Sequence, residues 1–143
     1  MIRIATMQDI TKVSEFAEYY KEKKNLFPDS EFKITDFKSF ILDCLRMKNT
    51  KVFVSDHDGE IKGFLIMSVD HMPWNKSKKW ASDVLFAAEK DASALLRTAI
   101  QWAKALNCHK IFLSNSTGHY QADKFFELMG LKRVGGQYEY PLL

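Results

Sequence analysis

The sequence predicts an α/β protein whose central sheet is mixed, mainly antiparallel, with helices on both faces. Two β-rich runs, "KVFVSD" and "EIKGFLIMSVD", flank Asp58-Gly59, a hairpin signal because both residues tolerate positive φ. An amphipathic stretch, "ASALLRTAIQWAKAL", then leads into "HKIFLSNS", an apolar run of the parallel-strand type. The resulting order, β, α, α, β, β, β, α, β, α, β, joins a hairpin-rich first half to a βαβ crossover.

Each element has its own signal. "MIRIAT" alternates Ile2 and Ile4 with polar neighbours, as a short opening strand does. Thr6 or Asp9 can cap the helix that follows, in which Ile10, Val13, Phe16, Ala17 and Tyr20 recur at helical spacing. "NLFPDS" is its exit loop. Thr35 is the expected N-cap of a second helix, with Phe37, Phe40, Ile41, Cys44 and Leu45 on one side. After the "HDG" hairpin, a long loop containing Pro73 is expected to lead to a strand, "WASDVLFAA". The helix over Leu95, Leu96, Ala99, Ile100, Trp102, Ala103 and Leu106 comes next, then the parallel strand. A short helix, "QADKFFELMG", closes at Gly130 in the C′ position, and "LKRVGGQYEYPLL" is expected to supply a last strand or pair of strands.

The 143 residues, 46% of them hydrophobic, suffice for one core, and no repeat or linker divides them, so a single domain over 1–143 is expected. No apolar run approaches the roughly 20 residues of a membrane span, and charge interrupts the N-terminus at once, so a soluble cytoplasmic protein is expected. Cys44 and Cys108 lack metal-ligand spacing and read as free thiols, with no metal implied. The net charge of +3 is too small and too dispersed to argue for a nucleic-acid partner. The densest basic run, "NKSKKW", sets Lys76, Lys78 and Lys79 between Trp74 and Trp80; it suits a nucleic acid, an acidic ligand or a solvated hairpin loop.

The element order, with "DGEIKGF", "ALLRTAIQWAKALNCHKIFLSNS" and "ADKFFELMGLKRVGG", resembles the GNAT superfamily of acyl-CoA-dependent N-acyltransferases along nearly the whole chain. The resemblance implies acetyl-CoA as acyl donor and an amine-bearing acceptor. In that family the CoA pyrophosphate lies on a turn of the form Gln or Arg, two residues, Gly, any residue, Gly or Ala, at a helix N-terminus. Here Ala92 takes the final small position, Lys90 stands for the middle glycine, and no Arg or Gln precedes them. Two readings follow for "EKDASALL". In one, the amides of Ala92, Ser93 and Ala94 hold phosphate, with the Ser93 hydroxyl and Lys90 assisting. In the other, Asp91 caps those amides with its own carboxylate, and Glu89 adds a second negative charge.

Acyl transfer to an amine needs a base, oxyanion donors and an acid for the thiolate. The resemblance implies Asp83 as base, since it begins the fourth strand; a strand-end carboxylate without a role is the alternative, and His71 and Glu60 are weaker candidates. Backbone amides of Leu85, Phe86 or Ala87 are implied for the oxyanion, and Asn115 for contact with the pantetheine arm, with ordinary turn chemistry in a strand-to-helix loop as its alternative. Phe126 occupies the cofactor-side position where many relatives carry a tyrosine acid, so Tyr120 is the expected donor, with His119 as a second. Tyr19, Tyr20, Phe27, Phe32, Trp74 and Trp80 make the acceptor side aromatic, and Asp29 and Glu31 can attract an amine. The sequence therefore suggests an N-acetyltransferase. Its alternative is an inactive GNAT-fold protein that binds a macromolecule, and a homodimer is expected from the commonness of two-fold symmetry.

Overall fold

The structure is a computed structural model, and it describes residues 1–142. Met1–Leu113 forms one compact unit and the chain from Ser114 onward a second.

In the first unit, β1 (Ile2–Ile4) runs into a 3₁₀ turn at Met7–Asp9 and then α1 (Ile10–Lys23) and α2 (Ile34–Arg46). Strands β2 (Thr50–His57), β3 (Glu60–Met72) and β4 (Asn75–Ala88) follow, then α3 (Ala92–Ala105) and β5 (Lys110–Phe112). The sheet order is β1-β2-β3-β4-β5, antiparallel except for the parallel β4–β5 pair. This is the mixed, mainly antiparallel sheet that the hairpin and crossover signals predict.

Helices cover both faces because β3 is apolar on both. Phe64 and Ile66 join Val13, Phe16, Ile41, Val52 and Val54 in a core under α1 and α2. Leu65 and Met67 join Phe53, Ala81, Leu95, Ala99 and Ala103 in a second core under α3. Each fully buried side chain of this size contributes about 1.5–3 kcal/mol. Arg3 ties the opening elements together: its Nη1 and Nη2 each donate to Asp9 at 2.8 Å, and its Nε donates to Asp56 at 3.0 Å. The Thr6 N–H also donates to Asp9, at 2.7 Å, closing the turn ahead of α1.

The Asp58-Gly59 turn has positive φ at both residues, 52° and 91°, as the two-residue hairpin requires. Three expectations are corrected. First, α2 starts at Ile34, so Thr35 lies inside the first turn; the Phe37 N–H already bonds to the Lys33 carbonyl at 3.1 Å. Second, the segment around Pro73 is a long hairpin arm: β3 reaches Met72 and β4 begins at Asn75. Pro73 then sits at the tip, where no ladder N–H is needed. Third, residues 131–142 contain no strand, and Val134, Tyr138, Tyr140 and Leu142 are exposed. Gly135-Gly136 weaken the start of this segment and Pro141 removes a ladder N–H near its end, and no strand pairs with it among the described residues.

The second unit holds α4 (Tyr120–Leu128). Gly130, at φ 90°, ends it as predicted: its N–H bonds to the Glu127 carbonyl and that of Leu131 to Phe126, both at 3.0 Å. Among the described residues no helix is long and apolar enough to cross a membrane.

Candidate functional site

β4 is paired to β3 along most of its length, but to β5 only at Trp80, Ala81 and Ser82. From Asp83 to Ala88 its outer edge has no strand beside it among the described residues, and alternate N–H groups there face away from β3. The opening coincides with a bulge: Met67 pairs with Asp83 and Ile66 with Leu85, leaving Val84 as the extra residue. A bulge bends its strand and sharpens the local twist. Val84 and Leu85 are consequently 41% and 38% exposed, an apolar lip on the open edge. Asp83 is half-buried at the start of this edge, on the α3 face with its register partner Met67. Phe86 packs toward the same core, whereas Ala87 packs toward the other.

The turn from β4 into α3 is held by β3. A second bulge lies there: Ser55 pairs with Gly63 and Asp56 with Ile61, so Lys62 is the unpaired residue. Its carbonyl accepts from the N–H groups of Glu89, at 2.9 Å, and Lys90, at 3.2 Å. Gly63 makes this approach possible. A Cβ there would lie 3.0 Å from the Ala88 Cβ, 3.1 Å from its Cα and 3.2 Å from the Leu95 Cδ1, so β4 and α3 fit only against a bare backbone.

Asp91 does not cap α3. It sits in the left-handed region at φ 63°, ψ 27°, and its carboxylate is drawn to β2. The Ser55 hydroxyl donates to Asp91 Oδ2 at 2.7 Å, and His57 Nε2 lies 2.6 Å from the same oxygen and 3.2 Å from Ser55 Oγ. Nε2 carries the proton in so short a contact with a carboxylate. The Ser55 hydroxyl first, and His57 after it, hold the Asp91 carboxyl below the usual carboxylate range. The first helical bond runs from the Leu95 N–H to the Asp91 carbonyl, at 2.9 Å. Among the described residues the amides of Ala92, Ser93 and Ala94 have no acceptor, which overturns the self-capped reading of this turn.

Glu89 is likewise engaged from the side. Lys23 Nζ on α1 lies 3.4 Å from Glu89 Oε2 and 5.5 Å from the Tyr19 ring centroid. The Tyr19 phenol, then Lys23, hold the Glu89 carboxyl below its ordinary range. Both acids of "EKD" thus have partners on other elements, while Lys90 is exposed and enters no ion pair among the described residues. The result is an uncapped helix N-terminus beside an unmatched cation. An anion there gains about 0.3–1 kcal/mol from the helix dipole alone, besides the amide hydrogen bonds.

Other predicted residues divide by surroundings. In the second unit, the Asn115 amide donates to the His119 carbonyl at 2.8 Å and to Asp123 at 3.0 Å. Its oxygen accepts from Thr117 and from the Gly118 N–H, so Asn115 organises its own loop. Tyr120 opens α4 and is 72% exposed; Phe126 is half-buried, with its ring centroid 5.6 Å from that of Phe125. In the first unit, Tyr20 and Phe32 pack on the α1–α2 core, whereas Tyr19, Phe27 and Trp74 are exposed. His71 is exposed, and Glu60, also exposed, pairs with Lys62 at 3.4 Å. Gly63, Ser55 and His57 are the residues that sequence reasoning missed. Only Gly63 carried a signal, as an isolated glycine inside a strand.

A mixed sheet that opens beside β4, next to a bare helix N-terminus, defines the acyl-CoA-dependent N-acyltransferase class of fold. The model of the acetyltransferase (GNAT) family matches residues 13–131, and the chain belongs to that family. No curated protein sequence matches it. Among solved structures, a predicted acetyltransferase from Clostridium acetobutylicum with acetyl-CoA is 16% identical, with 99% of this chain and 96% of that one covered at a TM-score of 0.78. A transcriptional regulator from Bacillus halodurans C-125 is 20% identical, with 98% and 99% covered at 0.78. An aminoglycoside acetyltransferase from an uncultured soil metagenomic sample, in complex with sisomicin, is 15% identical, with 100% and 96% covered at 0.76. At such identities the likeness establishes the fold, and function has to be argued from the site.

Proposed function

We propose that this chain is an N-acetyltransferase that moves the acetyl group of acetyl-CoA to a primary amine of a small molecule or protein. The observation that carries the reading is the uncapped start of α3, whose neighbouring carboxylates are both held by other elements. The amides of Ala92, Ser93 and Ala94 would bind the pyrophosphate, with the Ser93 hydroxyl and Lys90 assisting. Outward N–H groups among Leu85, Phe86 and Ala87 would pair with the thioester carbonyl and stabilise its negative charge as the amine adds. Asp83 would remove the proton of the acceptor ammonium, freeing the nitrogen lone pair to form the C–N bond as the C–S bond breaks. The leaving thiolate is protonated from water, which takes up the second proton that the nitrogen loses as the amide forms. Acetyl-CoA as donor favours a cytoplasmic setting, and the sisomicin complex of the soil acetyltransferase supports an amine-rich acceptor.

The test is thiol release from acetyl-CoA across a panel of primary amines, for wild type and Asp83→Asn. Amine-dependent release that falls about 10²–10⁴-fold in the variant, with unfolding unchanged, is expected of a general base. Undiminished turnover would remove Asp83 from that role. No release with any amine would favour the inactive, macromolecule-binding alternative.

A further inference from the structure

We infer that Ser55 and His57 are positioning residues for the cofactor: they hold the Asp91 carboxylate away from the amides of α3 that the phosphates need. The inference rests on the reading that α3 binds the CoA pyrophosphate.

An aspartate directly before a helix ordinarily adopts extended φ and ψ and turns its carboxylate onto the second or third amide of the helix. A carboxylate in that position and a pyrophosphate exclude each other, since both need the same N–H groups and both are negative. Asp91 instead occupies the left-handed region, which L-residues enter at a steric cost and from which the side chain does not reach those amides. Asp is among the few L-residues that tolerate this backbone, so what directs the carboxylate is the set of partners that it finds there. Among the described residues, the side chains bonded to the carboxylate are both on β2: the Ser55 hydroxyl at 2.7 Å and His57 Nε2 at 2.6 Å.

The placement of Ser55 supports the assignment. It follows Val52, Phe53 and Val54, all buried, and is itself fully buried. A buried hydroxyl without a partner is destabilising, and here its donor goes to Asp91. Neither side chain closes the adjacent hairpin. That task falls to Asp56, whose Oδ1 accepts from the Gly59 N–H at 2.8 Å while Oδ2 accepts from Arg3. Ser55 and His57 are two residues apart on one strand and converge on one oxygen, which makes them a two-point clamp on a residue 34 or more positions away.

The clamp is tested by titrating CoA into wild type, Ser55→Ala, His57→Ala, the double variant, and each of these in an Asp91→Gly background, with thermal unfolding measured alongside. Glycine accepts the left-handed backbone and has no carboxylate to redirect. With Asp91 present, the double variant is expected to bind CoA about tenfold more weakly, the free-energy scale of one good N-cap. His57→Gln, which keeps an N–H donor, should stay close to wild type. In the Asp91→Gly background Ser55→Ala and His57→Ala should have no effect on affinity. Equal losses in both backgrounds would show that Ser55 and His57 act through the fold, and unchanged affinity with Asp91 present would show that no clamp is needed. A wild-type protein that binds no CoA would overturn the site reading itself and the clamp with it, an outcome distinct from the other two.

Discussion

Gly63→Ala tests the local architecture of the turn. The added methyl would meet Ala88 Cβ at 3.0 Å, Ala88 Cα at 3.1 Å and Leu95 Cδ1 at 3.2 Å, where ordinary contacts lie at 3.4–4 Å. The leucine methyl can swing aside, but the Ala88 Cα is backbone, so the end of β4 must retreat by a few tenths of an ångström. Retreat lengthens the bonds from Glu89 and Lys90 to the Lys62 carbonyl, and the longer of them, 3.2 Å, is the first to fail. Overpacking of this kind costs about 1–3 kcal/mol, and one lost backbone hydrogen bond adds about 0.5–1.5 kcal/mol. Urea unfolding should therefore show Gly63→Ala destabilised by about 2 kcal/mol, with faster hydrogen exchange at the Lys90 amide and weaker CoA binding. Gly135→Ala is the control, because a Cβ there meets nothing within 4 Å, and it should change stability by less than about 0.5 kcal/mol. A Gly63→Ala protein as stable as the control, with Lys90 still protected, would refute the close-approach argument.

The Arg3–Asp9 pair yields two further predictions. The Arg3 guanidinium, chiefly, holds the nearly buried Asp9 carboxyl down to about 2 from its ordinary 3.8. A shift of that size is worth about 2 kcal/mol of stability, so Asp9→Asn should lower the unfolding free energy by about that amount at neutral pH, and a difference below about 0.5 kcal/mol would contradict the assignment. Because the folded pKa is the lower one, this stability is fully present above about pH 4 and is lost as the pH falls toward 2. The gap between wild type and Asp9→Asn should close over that window in urea titrations, and a constant gap would show that the charge on Asp9 is not its source.

What could be read from the sequence follows from how local each determinant is. The helical stripe from Leu95 to Ala103, the Asp58-Gly59 turn and the Gly130 cap depend on residues within a few positions of one another, and all three stand in the structure. The parallel strand after α3 was legible because its apolar run follows a crossover helix. Asp91 was not legible in the same way. A local capping rule assigns its carboxylate to α3, and two side chains on β2, remote in sequence, take it instead. The Lys62 and Val84 bulges are also pairing events between strands; Gly63 marks the first within its own strand, and nothing in its own strand marks the second. The expected strand after Gly130 shows the converse: alternating Tyr138, Tyr140 and Leu142 resemble a strand pattern, but a pattern makes a strand only where a ladder partner is found, and among the described residues none pairs with this segment.

The central claim is that the first amides of α3 are free to bind pyrophosphate although "EKD" precedes them. The most direct measurement is a titration of isotope-labelled wild-type protein with CoA, following the backbone amide resonances of Ala92, Ser93 and Ala94. The account predicts saturable shifts at all three, alongside Lys90, with micromolar or tighter affinity. Resonances that stay in place at millimolar CoA would mean that these amides do not hold the cofactor.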